Sequence, residues 1–187
     1  MGNALKKPDL TETDFLAGEE LAERKSEYVD GEVYAMAGGS ARHNKISGNL
    51  YVKLHTTTRG TPCEVFMADM KIKVDAHRAF YYPDVMLTCP QGDEHPLYRN
   101  APCLIAEVLS PSTANIDERE KWLHYRDIPT LKYYLLIDSE TRHARIRTRD
   151  ADGWLEQTLD ETDIVALECE GVMTTICLDD LYERTGL

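Results

Sequence analysis

Several signatures that would settle this sequence quickly are missing. The five cysteines (Cys63, Cys89, Cys103, Cys169, Cys177) are odd in number and form no CxxC pair. Neither a zinc ribbon nor a disulfide framework is therefore expected, and a reducing, cytoplasmic compartment follows as the plain expectation. No apolar run approaches the ~18 residues of a membrane-spanning helix. Met1 to Leu10 carry no apolar h-region, so no secretory leader is expected there. The histidines at 43, 55, 77, 95, 124 and 143 show neither HxxxH nor HExxH spacing, which argues against a zinc hydrolase. A GxxxxGK[ST] phosphate loop and a GxSxG nucleophile elbow are both absent. Positive charge is scarce as well: 21 Lys and Arg stand against 33 Asp and Glu, for a formal net charge of −12.

That deficit lies at the ends. Residues 1–32 hold 4 basic and 9 acidic groups, and residues 150–187 hold 1 and 11. The middle, residues 33–149, holds 16 basic and 13 acidic groups, so it could tolerate a polyanion. Acidic ends that simply keep the protein soluble account for the pattern equally well.

What is present suits one compact domain over residues 1–187: 42% of the chain is apolar, with no repeat, low-complexity tract or Pro/Gly-rich linker. Thr11 followed by Asp14 reads as the capped start of a short helix through about Leu16. Glu27–Val29 and Glu32–Ala37 flank Asp30-Gly31, a strong hairpin signal. Ser40 is a plausible N-cap for a helix over Ala41–Thr57, where Ile46, Leu50 and Leu54 recur every four residues. Cys63–Met67, Met70–Val74 and Phe80–Thr88 read as strands. Ala101–Leu109 is apolar apart from Glu107 and reads as a strand buried on both faces. A helix over Thr113–Asp127 and an apolar strand over Leu131–Ile137 follow. Strands around His143–Thr148, Trp154–Leu159 and Val172–Cys177 and a short helix at Asp179–Glu183 complete the chain. This order predicts an α/β fold, a mixed central β-sheet flanked by helices with an N-terminal β-hairpin.

Glu107 is the most informative residue. A lone ionised carboxylate inside a buried strand costs several kcal/mol unless it is paired or bound to metal. Asp84, in Tyr81-Tyr82-Pro83-Asp84-Val85, is a second carboxylate in an apolar strand, and the preceding proline limits its pairing. Two carboxylates on neighbouring strands repel unless a divalent cation neutralises them, and oxygen ligands favour Mg²⁺ or Mn²⁺ over zinc. The alternative keeps both structural, with Asp84 capping a turn and Glu107 paired to Lys71, Lys73 or an arginine. Lys71 and Lys73 share one strand face that could meet phosphates or simply face solvent. His43, following a helix cap, suits a structural or substrate-contact role better than a catalytic one.

The strings Glu27-Tyr28-Val29-Asp30-Gly31-Glu32, Ser40-Ala41-Arg42-His43, Tyr82-Pro83-Asp84-Val85, Glu107-Val108-Leu109-Ser110-Pro111-Ser112-Thr113, Asp117 with Lys121 and Tyr125, and Tyr133-Tyr134-Leu135-Leu136-Ile137-Asp138 carry a more specific signal. Together they resemble the Uma-type family of restriction endonucleases, a branch of the PD-(D/E)XK nuclease superfamily, from about Thr11 to Tyr182. The resemblance implies a restriction-endonuclease-like fold, Mg²⁺ (or Mn²⁺) dependence and cleavage of DNA, with a homodimer as one admissible assembly and no membrane partner. It implies Asp84 and Glu107 as metal ligands, the Val108 carbonyl as a third ligand and Glu27 as an auxiliary acid. In the superfamily pattern a lysine stands two positions after the glutamate; here that position is Leu109. Lys121, on the following helix, is the implied replacement, and Tyr125 lies one turn beyond it.

The chemistry expected of such a site is electrostatic. A bound metal would polarise a phosphate oxygen and lower the pKa of its water, and Lys121 would orient that water and stabilise the developing charge. Alternatively, Lys121 makes only an i,i+4 salt bridge to Asp117, worth a few tenths of a kcal/mol. A catalytically silent binding or assembly module with the same fold is the rival from a different class.

Overall fold

The computed structural model describes residues 10–36, 38–89, 95–111 and 116–187. Helix α1 (Glu12–Glu19) starts at Thr11, whose hydroxyl accepts the Asp14 N–H. Strands β1 (Ser26–Val29) and β2 (Glu32–Ala35) form the expected hairpin. Asp30 and Gly31 both take positive φ, 44° and 97°, as a two-residue turn of the I′ kind requires. Helix α2 (Ala41–Thr58) is capped by the Ser40 side chain and buries Ile46, Leu50 and Leu54, the four-residue stripe of the sequence.

The strands that follow are β3 (Glu64–Met67), β4 (Lys71–Val74), β5 (Ala79–Tyr81), β6 (Val85–Thr88), β7 (Tyr98–Arg99) and β8 (Pro102–Leu109). A π-helical turn over Ile116–Lys121 runs into the short helix α3 (Trp122–Tyr125). Then come β9 (Tyr133–Asp138), β10 (Ala144–Arg149), β11 (Trp154–Leu159), the hairpin β12 (Val165–Cys169) and β13 (Val172–Ile176), and helix α4 (Leu178–Tyr182). Six strands form a mixed sheet in the order β11-β10-β9-β8-β6-β3, parallel between β8 and β9. Five others form a second sheet in the order β2-β1-β5-β4-β7.

Every residue of β8 is buried. Leu104, Ala106 and Val108 face a core shared with α2, α4 and the β12–β13 hairpin. Ile105 and Leu109 face a second core with Tyr125, Tyr134 and Leu136, and with Ile72, Val74 and Tyr81 of the second sheet. Cover on both faces explains why this strand reads as a continuous apolar run. Among the described residues, no helix is long and apolar enough to cross a membrane.

Four sequence expectations change. Phe80–Thr88 is not one strand but two, β5 in one sheet and β6 in the other, because Pro83 lacks the N–H that a continuous ladder needs. Strands β7 and β12 were not anticipated; the first is two residues long and the second is interrupted by exposed positions. Lys71 and Lys73 do not form a solvated face, since Lys71 is buried under Tyr82 and Lys73 pairs with Glu12 and Asp75.

The fourth correction concerns the cysteines. Cys63 and Cys89 are disulfide-bonded, as are Cys103 and Cys169, leaving Cys177 as the thiol. Sequence spacing reports only local pairs, whereas these are made by topology. The register Glu64↔Thr88 sets Cys63 opposite Cys89, and β8 passes beneath the end of β12. The argument for a reducing compartment from cysteine count falls with this finding.

Candidate active site

The side chains singled out in the sequence converge where the two sheets meet. In the antiparallel β6–β8 register Val85 faces Ala106, so the next residue on each side, Asp84 and Glu107, belongs to the opposite face. The Val108 N–H donates to Asp84 Oδ2 at 2.7 Å, which ties the Tyr82-Pro83-Asp84 junction to β8. Glu107 is buried, its side chain only 3% exposed. Its Oε1 accepts the Tyr125 hydroxyl at 3.0 Å and lies 3.4 Å from Lys121 Nζ. Lys121 Nζ also reaches Glu27 Oε1 at 2.8 Å, with side-chain exposures of 7% for the lysine and 13% for the glutamate. Glu27 comes from β1 of the second sheet, and its Oε1 also accepts the Tyr82 N–H at 3.4 Å. Lys121 therefore cross-links a carboxylate of one sheet to a carboxylate of the other.

The π-helical turn ending at Lys121 helps explain this reach. Such a turn adds a residue to the helix and re-aims the side chains beyond it, and it recurs at functional sites. Lys121 lies over the Tyr81 ring at 5.6 Å from its centroid. Tyr125, one turn on, holds Glu107 rather than the lysine. The alternative in which Glu107 pairs with Lys71 or Lys73 does not match these contacts. The Asp117 side chain and residues 112–115 lie outside the described residues.

Burial, then the Glu107 and Glu27 charges, pushes the Tyr125 hydroxyl well above its ordinary range, so it remains a donor to Glu107 throughout the accessible pH range. Tyr81 is raised in the same way by burial and then by Glu27, with Lys121 opposing. Its hydroxyl lies 2.7 Å from His124 Nδ1. His124 stacks on His77 at 3.9 Å, and His77 pairs with Asp127 at 2.7 Å. His124 is held below the usual imidazole range by burial and then by His77.

Two groups beside the site have no local signal in the sequence. Tyr81 and His124 look like ordinary strand and helix residues until the fold sets them against Lys121. His43 sits in the first turn of α2 with Nε2 3.2 Å from Asp84 Oδ2. Two cavities open nearby: one lined by Ser40, Ala41, Arg42, Lys45, Glu140 and Thr185, the other by Leu109, Ser110, Pro111, Asp138 and Glu140. The second lies beyond the C-terminal ends of the parallel pair β8–β9, a usual place for ligands in such sheets. Neither cavity is lined by Glu27, Glu107 or Lys121.

The model of the Uma2 family, described as putative restriction endonucleases, matches residues 13–174. The chain belongs to that family. A Uma2-family match over this span covers every site residue named above. Two uncharacterized proteins of Synechocystis sp. (strain ATCC 27184 / PCC 6803 / Kazusa) are similar to it. One is 34% identical over 177 residues, covering 94% of this chain and 92% of the relative. The other is 39% identical over 132 residues, covering 69% and 75%. In fold the chain is similar to a crystal structure titled a putative nuclease belonging to DUF820, from Anabaena variabilis ATCC 29413. The TM-score is 0.70 at 14% identity, covering 88% of this chain and 93% of that one. The restriction-endonuclease-like α/β fold expected from the sequence is thus the fold observed.

Proposed function

We propose that this Uma2-family protein is a divalent-metal-dependent endonuclease that hydrolyses DNA phosphodiester bonds. The observation that carries the proposal is the buried lysine wedged between Glu27 and Glu107 beside Asp84. Three carboxyl groups thus gather about one ammonium, in a setting where charge must be paired or bound.

The donor set fits a hard cation. Among the described residues no three His, Cys, Asp or Glu side chains form a ready-made metal cage. Mg²⁺ needs no such cage, because it keeps several waters and relies on one or two carboxylates together with substrate phosphate. Asp84 and Glu107 would hold the ion with the Val108 carbonyl as a third ligand, and Mn²⁺ suits the same oxygens. When bound, the ion would polarise a phosphate oxygen and lower the pKa of its water.

The chain's own groups then have distinct work. The Val108 N–H and Tyr125 hydroxyl fix Asp84 and Glu107 so that they need little reorganisation. The Lys121 ammonium would orient the attacking water by hydrogen bonding and stabilise charge that develops on the phosphate. Glu27 holds Lys121 at 2.8 Å and acts as the auxiliary acid of the site. Water adds to phosphorus, one P–O ester bond breaks, and the departing oxygen takes up a proton as a hydroxyl.

One observation favours a second reading. Lys121 already contacts both glutamates, so the triad could be a structural ion network in a catalytically silent module. Cleavage of supercoiled plasmid with Mg²⁺ or Mn²⁺ decides between the two. Wild type should nick and linearise DNA, Lys121→Ala should lose about 10²–10³ in rate, and Glu107→Gln should lose both cleavage and metal binding. Full activity in Lys121→Ala would reject the lysine's role. A wild type inert on every nucleic acid tried would favour the silent module.

A further inference from the structure

His43 has a setting that the contacts among Glu27, Glu107 and Lys121 do not explain. Its backbone N–H is capped by Ser40 Oγ at 3.1 Å, which fixes where the first turn of α2 begins. Its ring then lies across Gly39. A Cβ built on Gly39 would stand 2.9 Å from His43 Nδ1, closer than real Cβ contacts come, and a tight 3.3 Å from Cγ. Gly39 does not adopt the left-handed φ that calls for glycine, so the backbone does not demand the residue. The imidazole does, because it occupies the space a side chain would fill.

Held this way, the ring presents Nε2 to Asp84 Oδ2 at 3.2 Å. The same oxygen accepts the Val108 N–H at 2.7 Å. The start of α2 and the middle of β8 thus both bring a nitrogen to one carboxylate oxygen, the Val108 N–H as a hydrogen bond and the His43 imidazole as an ion-pair contact. Side-chain exposures of 20% for His43 and 21% for Asp84 put the pair at the mouth of the site rather than in bulk solvent. A carboxylate pinned through one oxygen has its plane and its remaining oxygen oriented before any ligand arrives, which is the usual contribution of groups behind a metal ligand.

We propose that His43 is a positioning residue: its imidazole, seated by the missing side chain of Gly39 and in contact with Asp84 Oδ2, orients Asp84 for divalent-cation binding. The inference rests on the metal-dependent reading above and deepens it by assigning Gly39 and His43 to the same site. His43 itself stays outside the coordination sphere.

The test is Mn²⁺ titration of the full-length protein, followed by electron paramagnetic resonance, on wild type, His43→Leu, His43→Gln and Gly39→Ala. Groups behind a ligand typically contribute about 10–100-fold in metal affinity. His43→Leu should lose that much, and Gly39→Ala should lose a similar factor although the histidine is still present, because the new methyl displaces the ring. His43→Gln, which retains an N–H donor of similar reach, should recover much of the loss. Spin-echo modulation of the bound Mn²⁺ should show no directly coordinated imidazole nitrogen. Equal affinity in wild type and both His43→Leu and Gly39→Ala would overturn the positioning role while leaving the metal site standing. A directly bound imidazole would overturn it in favour of a ligand. A wild type that binds no Mn²⁺ at all would instead remove the metal-dependent reading and this inference with it. Should His43→Leu not fold, Gly39→Ala and His43→Gln still decide the matter.

Discussion

Replacing Lys121 by methionine probes the site most severely, because methionine keeps an unbranched apolar chain over the Tyr81 ring and removes only the charge. The structure sets the magnitude. A surface i,i+4 pair would lose under ~1 kcal/mol. Here the ammonium is 7% exposed and lies 2.8 Å from Glu27 and 3.4 Å from Glu107, which is itself 3% exposed. Its removal leaves two carboxylates facing each other across the sheet junction. Breaking a buried pair this way costs about 3–5 kcal/mol, because two buried carboxylates lose the cation they share. For a chain of this size that corresponds to a melting-temperature drop of roughly 6–20 °C, at roughly 2–4 °C per kcal/mol. The assay is urea denaturation at pH 7.5 without metal, with thermal melting as a second probe. Mn²⁺ should offset part of the deficit. A loss below about 1 kcal/mol would refute the buried triad.

Three further outcomes are expected. Saturating Mn²⁺ should raise wild-type stability by about 2.7 kcal/mol at a hundredfold excess over Kd, and Asp84→Asn should abolish most of that gain while folding normally; an equal gain in both proteins would remove Asp84 from the metal site. Replacing Cys103 and Cys169 by serine should cost about 2–4 kcal/mol, since the disulfide closes a long loop, separation 66, in the unfolded chain; a reductant that leaves the wild-type melting temperature unchanged would contradict the bond. His124 is held below its ordinary pKa, so the unfolded chain takes up its proton first as pH falls. Stability from this residue is present above the usual value of 6.5 and is lost as pH falls from there through the depressed folded value. His124→Asn should flatten the melting-temperature profile in that window, and an unchanged slope would exclude His124 as its source.

Much of the fold was legible because its strongest elements obey local rules. Ile46, Leu50 and Leu54 announce α2, Asp30-Gly31 announces the hairpin, and the apolar run around Glu107 announces a strand covered on both sides. Asp84 and Glu107 stood out because charge in apolar surroundings needs a reason, whereas Glu27 and Lys121 came with the family resemblance. What stayed hidden is non-local. Pro83 marks a break within Phe80–Thr88 without saying that the chain changes sheets there, and no spacing rule pairs Cys103 with Cys169 across 66 positions. The hydrogen bond from Tyr125 to Glu107 and the seat of His43 on Gly39 likewise exist only once separate segments are brought together.

The position of Lys121 sets stability and chemistry against each other. Glu27 belongs to the five-stranded sheet and Glu107 to the six-stranded one, so the contacts at 2.8 and 3.4 Å join the two sheets through one ammonium group. Any cation that takes Glu107 as a ligand competes with that contact, since both draw on the same carboxylate. A shift of Lys121 toward Glu27 and the substrate would accommodate the cation without leaving the lysine unpaired, because Glu27 Oε1 is already its nearer partner. The auxiliary glutamate then has a physical reason to be there. It would retain the lysine when Glu107 takes a cation as its ligand. A chain with glutamine at position 27 would have to choose between a Lys121 paired to Glu107 and a Glu107 committed to the cation.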